Sequence, residues 1–276
     1  IWTALKEGHA SKNPEEWSDA FAKLTWRLWS PAAIPDLKQR ALSKKLTPTQ
    51  RELAVESIAF INDPAAADAL FDIAAKTDAS VKVAASNWLL RNAAGEWSQM
   101  NIKKRLAETG IYDPSKITVN AITVPKDKPS AANNKERITR VLALKGDAAK
   151  GKQSIMRCIM CHNVEGQGPN YGPPLKGWGQ TQSREAIATS IIMPSADIAH
   201  GFKGSRIILK DGKEVHGLLQ PGDPYIVSST GGMVQMIPKS KVKSTKPLGR
   251  SLMLSAGQLG LTDQEIADII AHMKQW

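Results

Sequence analysis

The sequence predicts a mainly α-helical chain in two parts, a helical repeat array followed by a second helical domain that a small antiparallel β insert interrupts. Three observations lead there. The first half is rich in Ala, Leu, Lys and Glu, strong helix formers, and it repeats itself at a fixed spacing. Gly, Pro and β-branched residues accumulate after about position 165, as loops and strands require. The length of 276 residues suits two domains, each able to bury its own core.

The repeat is read from residues 24–39, LTWRLWSPAAIPDLKQ, and 57–72, SIAFINDPAAADALFD, which align with a shared Pro-Ala-Ala at Pro31 and Pro64, 33 positions apart. In each, one helix ends and Pro opens the next in its first turn, where a missing N–H costs nothing. A weaker third unit, VAASNWLLRNAAGEW, starts at Val83. Residues 1–110 thus resemble a short HEAT-like helical repeat array, in which helix pairs bury a face only by stacking and often offer the outer surface to proteins. Trp2, Trp17, Trp26, Trp29, Trp88 and Trp97 fall here; helical spacing places most in the core and leaves a minority for a partner. No catalytic constellation is present in this half. Residues 111–135, rich in Pro, Lys and Asn, read as a linker.

Both cysteines of the chain lie in one pentapeptide, Cys158-Ile159-Met160-Cys161-His162. This is C-x-x-C-H, the attachment pattern for a c-type haem. Two thiols three residues apart on a helical turn can each reach one vinyl group, and the adjacent His projects its imidazole at the iron. The reading is one covalently bound haem c with His162 as an iron ligand. A thioredoxin-like dithiol would sit at a strand-to-helix junction, and no strand pattern precedes Cys158. A zinc site would need a second ligand pair, for which no Cys remains.

About ten residues on, Gly172-Pro173-Pro174-Leu175-Lys176-Gly177 resembles the G-P-x-L-x-G segment of class I cytochromes c. That resemblance implies that the Pro173 carbonyl accepts the other ring N–H of His162 and fixes the imidazole. Gly146 to Lys152 is similar to the first helix of that family. Thr262-Asp263-Gln264-Glu265 is a capping-box signal, and Ile266, Ile269, Ile270 and Met273 then share one helical face. The C-terminal helix should pack across the first, and the resemblance to class I cytochromes puts their close crossing at Gly151, where a small residue lets two backbones approach. Between them, residues 205–219 read as two strands around Asp211-Gly212, and 225–237 as two more around Gly231-Gly232. The second domain therefore runs over 136–276, with its insert at about 202–247.

The second axial ligand is drawn from Met193, His200, His216, Met233, Met236, Met253, His272 and Met273. In class I cytochromes the distal Met lies on a loop shortly before the C-terminal helix, and Met253 in Arg250-Ser251-Leu252-Met253-Leu254 has that placement. Met193, His200 and His216 stay open as alternatives; Met273 reads as core packing. Residues 144–276 are also similar to the PVC-type haem-binding domain family, through C-x-x-C-H, GPPLKGWG, SREAI, IIMPSADIAHGF, LKDGKEVHGLL, SLM and LTDQEIADIIAHM in that order. The resemblance implies a monohaem class I cytochrome with a small inserted β element and Met253 as distal ligand. That family usually carries Pro after this Met, and here Leu254 follows, so the ligand loop lacks one restraint. HEAT-like modules precede such haem domains in larger proteins.

The formal net charge of +11 is uneven: residues 135–276 hold 19 Lys+Arg against 11 Asp+Glu, and residues 1–134 hold 18 against 15. A basic surface suits an acidic partner, and no nucleic-acid motif accompanies it. No stretch reaches the roughly 18 apolar residues of a membrane span. The N-terminus lacks the charged and apolar regions of a signal peptide, and the chain starts without Met, as a mature form or a piece of a longer protein would. The expected function is single-electron transfer rather than enzymatic catalysis, to or from an acidic redox partner that the resemblance suggests is a periplasmic dehydrogenase. A haem enzyme or ligand sensor with a displaceable distal ligand is one alternative, and a protein-interaction module with an accessory haem is another. Haem c attachment outside the cytoplasm places the protein in a periplasm or equivalent space.

Overall fold

A computed structural model describes the chain except for Ala10, Asp78, Glu96, residues 127–130 and Gly166. The chain divides into two compact units. One comprises residues 1–119 with 222–226 and 234–238, the other residues 120–221, 227–233 and 239–276.

The first unit is built from helices whose starts are written locally. Thr47 accepts the backbone N–H of Gln50 while the Gln50 side chain accepts that of Thr47, with Pro48 in the first turn, and the helix Pro48–Ala59 follows. Asp63 caps Ala65 at 2.8 Å, and Pro64 opens Pro64–Lys76. Pro31 likewise opens a short 3₁₀ turn, Pro31–Ala33, that leads into Ile34–Leu42. Leu37, Ile58, Leu70, Ile73 and Leu89 from these stacked helices meet in one apolar core. Arg40 is buried with no carboxylate in salt-bridge range among the described residues; it lies over the Trp17 ring and donates to the Pro14 carbonyl.

In the second unit, Ala148–Ser154 crosses Asp263–Met273, and Ala131–Ala143 and Arg184–Ile192 pack around them. The capping box forms as read, with Thr262 N–H donating to Glu265 at 2.8 Å and Glu265 N–H to the Thr262 hydroxyl at 3.2 Å. Gly151 is the crossing point. A Cβ there would lie 2.5 Å from the carbonyl carbon of Asp268 and 2.8 Å from Cβ of His272.

The insert is a five-stranded antiparallel sheet. Its strands are β1 (Ser205–Leu209), β2 (Glu214–Gln220), β3 (Tyr225–Ser229), β4 (Met233–Ile237) and β5 (Val242–Pro247), in the order β4-β3-β2-β1-β5. Four of them match the two hairpins expected. The fifth, β5, pairs with β1 from Ser205 opposite Pro247 to Leu209 opposite Val242, and it escaped the sequence pattern because its three lysine and proline residues lack an apolar face.

The segment 111–135 does not behave as a free linker. Tyr112 joins the core of the first unit, Val119 and Val124 are buried, and Ile122 bridges Val215 of β2. Residues 131–135 already belong to the helix Ala131–Ala143, and residues 127–130 lie outside the described residues. The Ile-Thr-Val pairs at 117–124 supply apolar surface that the Pro and Lys content obscured.

His216 of β2 holds this segment. Its backbone N–H donates to the Ile122 carbonyl at 2.7 Å, and its ring Nδ1 accepts the Val124 N–H at 3.1 Å. The ring proton therefore sits on Nε2, which faces Glu214 at 3.6 Å. Burial lowers the His216 pKa from the ordinary 6.5, against the opposing pull of Glu214. Between the folded and unfolded values the unfolded chain binds more protons, so stability is fully present above about pH 6.5 and declines as the solution is acidified. His216→Phe strands the Val124 N–H and is expected to cost about 1–3 kcal/mol at neutral pH. His216→Asn, whose amide oxygen can accept the same N–H, should recover most of it. Denaturant melts across pH should also show a flatter acid slope for the Phe variant, with His272 among the groups supplying the remainder because burial lowers it too.

Candidate haem site

The attachment motif is shaped by a tightening of the chain. The helix Ala148–Ser154 passes directly into a 3₁₀ helix, Ile155–Met160, and the Cys158 carbonyl then accepts both the Cys161 N–H at 3.1 Å and the His162 N–H at 2.9 Å. This turn brings the two thiols onto one stretch of backbone, both half-buried and both free of disulfide bonding. Cys158 packs with the helical core that includes Ile155, Ile187 and Ile266; Cys161 packs with Tyr171, Leu252 and Val124.

His162 is 6% exposed, and its Nδ1 lies 2.7 Å from the Pro173 carbonyl oxygen. A carbonyl only accepts, so Nδ1 carries the proton and Nε2 keeps the lone pair that can ligate iron. Gly172, whose N–H donates to the Cys161 carbonyl at 2.6 Å, lies flat against the ring. A Cβ on Gly172 would stand 2.6 Å from Nδ1 and 2.8 Å from Nε2, so the imidazole position depends on a residue without a side chain. Burial lowers the His162 pKa despite the Pro173 bond, which keeps the ring neutral as ligation requires. Burial, with the neighbouring Cys161, pushes the Cys158 thiol up to about 11; burial also raises Cys161, opposed by the Gly231 backbone.

Met253 is half-buried on the loop before the C-terminal helix. Its N–H donates to the Ser251 hydroxyl at 3.0 Å, and Ser251 N–H donates to Ser195 at 3.1 Å. On either side, Leu252 and Leu254 belong to the apolar cluster that contains Cys161 and Tyr171. Arg250 donates to the Val124 and Pro125 carbonyls, and Gln258 also reaches Pro125 at 3.1 Å. Hydrogen bonds thus hold the loop around Met253.

The other candidates are placed differently. His200 is exposed, and His216 is committed to Val124 and Glu214. Met233 is 43% exposed, Met236 lies in the core of the first unit, and Met273 is packed in the second, as expected. His272 stacks on Trp276 at 5.4 Å. Met193, half-buried, packs against the helical core. Sequence reasoning missed Tyr171. It is 5% exposed and packs with Cys161, and among the described residues its buried hydroxyl, like that of nearby Thr230, has no full hydrogen-bond partner.

The donor set fits haem c. Two free thiols share one turn with a neutral imidazole whose Nδ1 is fixed by Pro173, and the ring is cradled by Gly172. These are the features a c-type cytochrome domain needs. The family model described as Cytochrome c matches residues 148–207, from the first helix through the motif to the start of the insert, which supports that class and implies covalently bound haem c. No curated protein is similar enough to this chain to match.

Proposed function

We propose that the protein is a monohaem c-type cytochrome that passes single electrons to and from a redox partner outside the cytoplasm, in a periplasm or equivalent space. The observation that carries this reading is the 2.7 Å contact between His162 Nδ1 and the Pro173 carbonyl, which leaves Nε2 free directly after the two cysteines. Cys158 and Cys161 are the attachment points, and as the only cysteines they serve one haem. Bound haem c supplies an iron that alternates between ferric and ferrous states. His162 would ligate that iron, its basicity raised by the bond to Pro173. Met253 would be the second protein ligand, on a loop restrained by Ser251 and Arg250. The core around Ile155, Ile187 and Ile266 excludes water and so favours the less charged reduced form. The basic excess suits an acidic protein partner. Residues 1–110 act as a HEAT-like array, a reading supported by Pro31 and Pro64 at equivalent first turns and by the Asn92 side chain, which donates to the Ala59 carbonyl one repeat length away at 2.9 Å.

Carbon monoxide separates this reading from an enzyme or sensor. The reduced holoprotein should give a low-spin spectrum that the gas leaves unchanged within minutes. Rapid complete conversion to a carbon monoxide complex would mean an open site and would overturn the carrier.

A further inference from the structure

The first unit carries an aromatic row that electron transfer does not use. Trp26 lies 5.7 Å from Phe60, and Phe60 lies 5.3 Å from Trp88, ring centroid to centroid. The three come from successive helical layers, at the turn Thr25–Leu28, the end of Pro48–Ala59 and the last turns of Ala79–Asn92. Two guanidinium groups flank the row, Arg27 over Trp26 at 5.4 Å and Arg91 over Trp88 at 4.8 Å. Among the described residues neither arginine has a carboxylate in salt-bridge range, and Glu56, one turn before Phe60, pairs with neither.

The row reaches the surface at Phe60, which is 41% exposed, while Trp26 and Trp88 are half-buried beside it; Trp29, which follows Trp26 on the same short turn, is 62% exposed. Trp29 adopts a left-handed backbone at φ 46°, which costs a bulky residue on the order of 1–3 kcal/mol. The same unit buries Trp2, Trp17 and Trp97 to 4% or less, so exposure here is local rather than a want of core. Rigid aromatic rings beside arginines have the composition of binding hot spots. A guanidinium stacked on a ring keeps its N–H edge free to grip a carboxylate with two parallel hydrogen bonds.

We propose that Trp26, Trp29, Phe60 and Trp88, with Arg27 and Arg91, form a docking surface for an acidic segment of a partner protein that carries aromatic or aliphatic anchors. The rings take the anchors, and the two arginines take the flanking Asp or Glu side chains. These residues belong to the first unit and the haem-site residues to the second, and the proposal stands whether or not the protein carries electrons.

The test uses the full haem-loaded chain and an array of short peptides that mix Asp and Glu with Phe, Trp and Leu, beside counterparts with Lys at every acidic position. Acidic peptides should bind saturably, about tenfold or more tighter than their Lys counterparts, and more weakly at high salt. Arg27→Glu with Arg91→Glu should lower that affinity about tenfold or more, and Trp29→Ala similarly, with circular dichroism and the haem spectrum unchanged. The charge reversal is confined to exposed groups, so it remains decisive if Trp29→Ala misfolds. Absence of saturable acidic-peptide binding, equal binding of Lys peptides, or wild-type affinity in the reversed variant would overturn the proposal. So would a dimer in sedimentation that Trp29→Ala abolishes, since a second copy would then be the occupant.

Discussion

Gly151→Val should destabilise the second unit by about 3 kcal/mol or more, the upper end of what overpacking costs and beyond. The added Cβ would stand 2.5 Å from the Asp268 carbonyl carbon, and a backbone atom cannot rotate away as a side-chain end can. Val adds a stiff χ1 to the same contact. The gain in helix propensity on replacing Gly works in the other direction but amounts to at most about 1 kcal/mol, so the clash dominates. For a unit near 150 residues this corresponds to a fall of roughly 6–12 °C in Tm. Gly8→Ala is the matched control, because nothing lies within 4 Å of its Cβ position, and it should change stability by a few tenths of a kcal/mol. A Gly151→Val melt indistinguishable from that control would mean that the two helices do not cross in contact.

Met253→Ala should lower the reduction potential by on the order of 0.1 V, within the roughly 0.8 V that axial ligands span. On the proposed ligation, the variant loses a thioether that would favour the reduced iron. The absorption band arising from sulfur-to-iron charge transfer should disappear at the same time, and carbon monoxide should bind the reduced variant quickly. Stability should fall less than potential suggests, since Met253 is only half-buried and the loop remains held by Ser251, Ser195 and Arg250. An unchanged spectrum and potential would move the ligand elsewhere, with Met193 the next residue to replace.

These two variants also mark what local sequence could disclose. C-x-x-C-H, the Gly-Pro segment and the Thr262–Glu265 box are short motifs whose chemistry is complete within a few residues, so they could be placed before any fold was known. Gly151 is legible only through the resemblance to class I cytochromes, which puts the helix crossing there. Gly146 and Gly179 make similar close approaches, to Ala267 and Met273, but nothing adjacent in sequence announces them. The strand β5 and the segment around Ile122–Val124 depend on pairing with residues far along the chain, and their lysines and prolines argued for loop. The role of His216 was hidden for the same reason, because its Val124 partner is 92 positions away. Tryptophan periodicity puts most of the six in the core without saying which; Trp2, Trp17 and Trp97 are buried, Trp26 and Trp88 are half-buried, and Trp29 is exposed on a left-handed turn.

The measurement that bears most directly on the central claim is the intact mass of the protein after expression with a cytochrome c maturation system, before and after acidic organic extraction. Thioether bonds from Cys158 and Cys161 should leave one haem's mass on the chain after extraction, and none on a Cys158→Ala, Cys161→Ala double variant. A wild-type chain that folds under those conditions and emerges from extraction at the mass of the bare polypeptide would contradict the assignment of these cysteines to covalent haem.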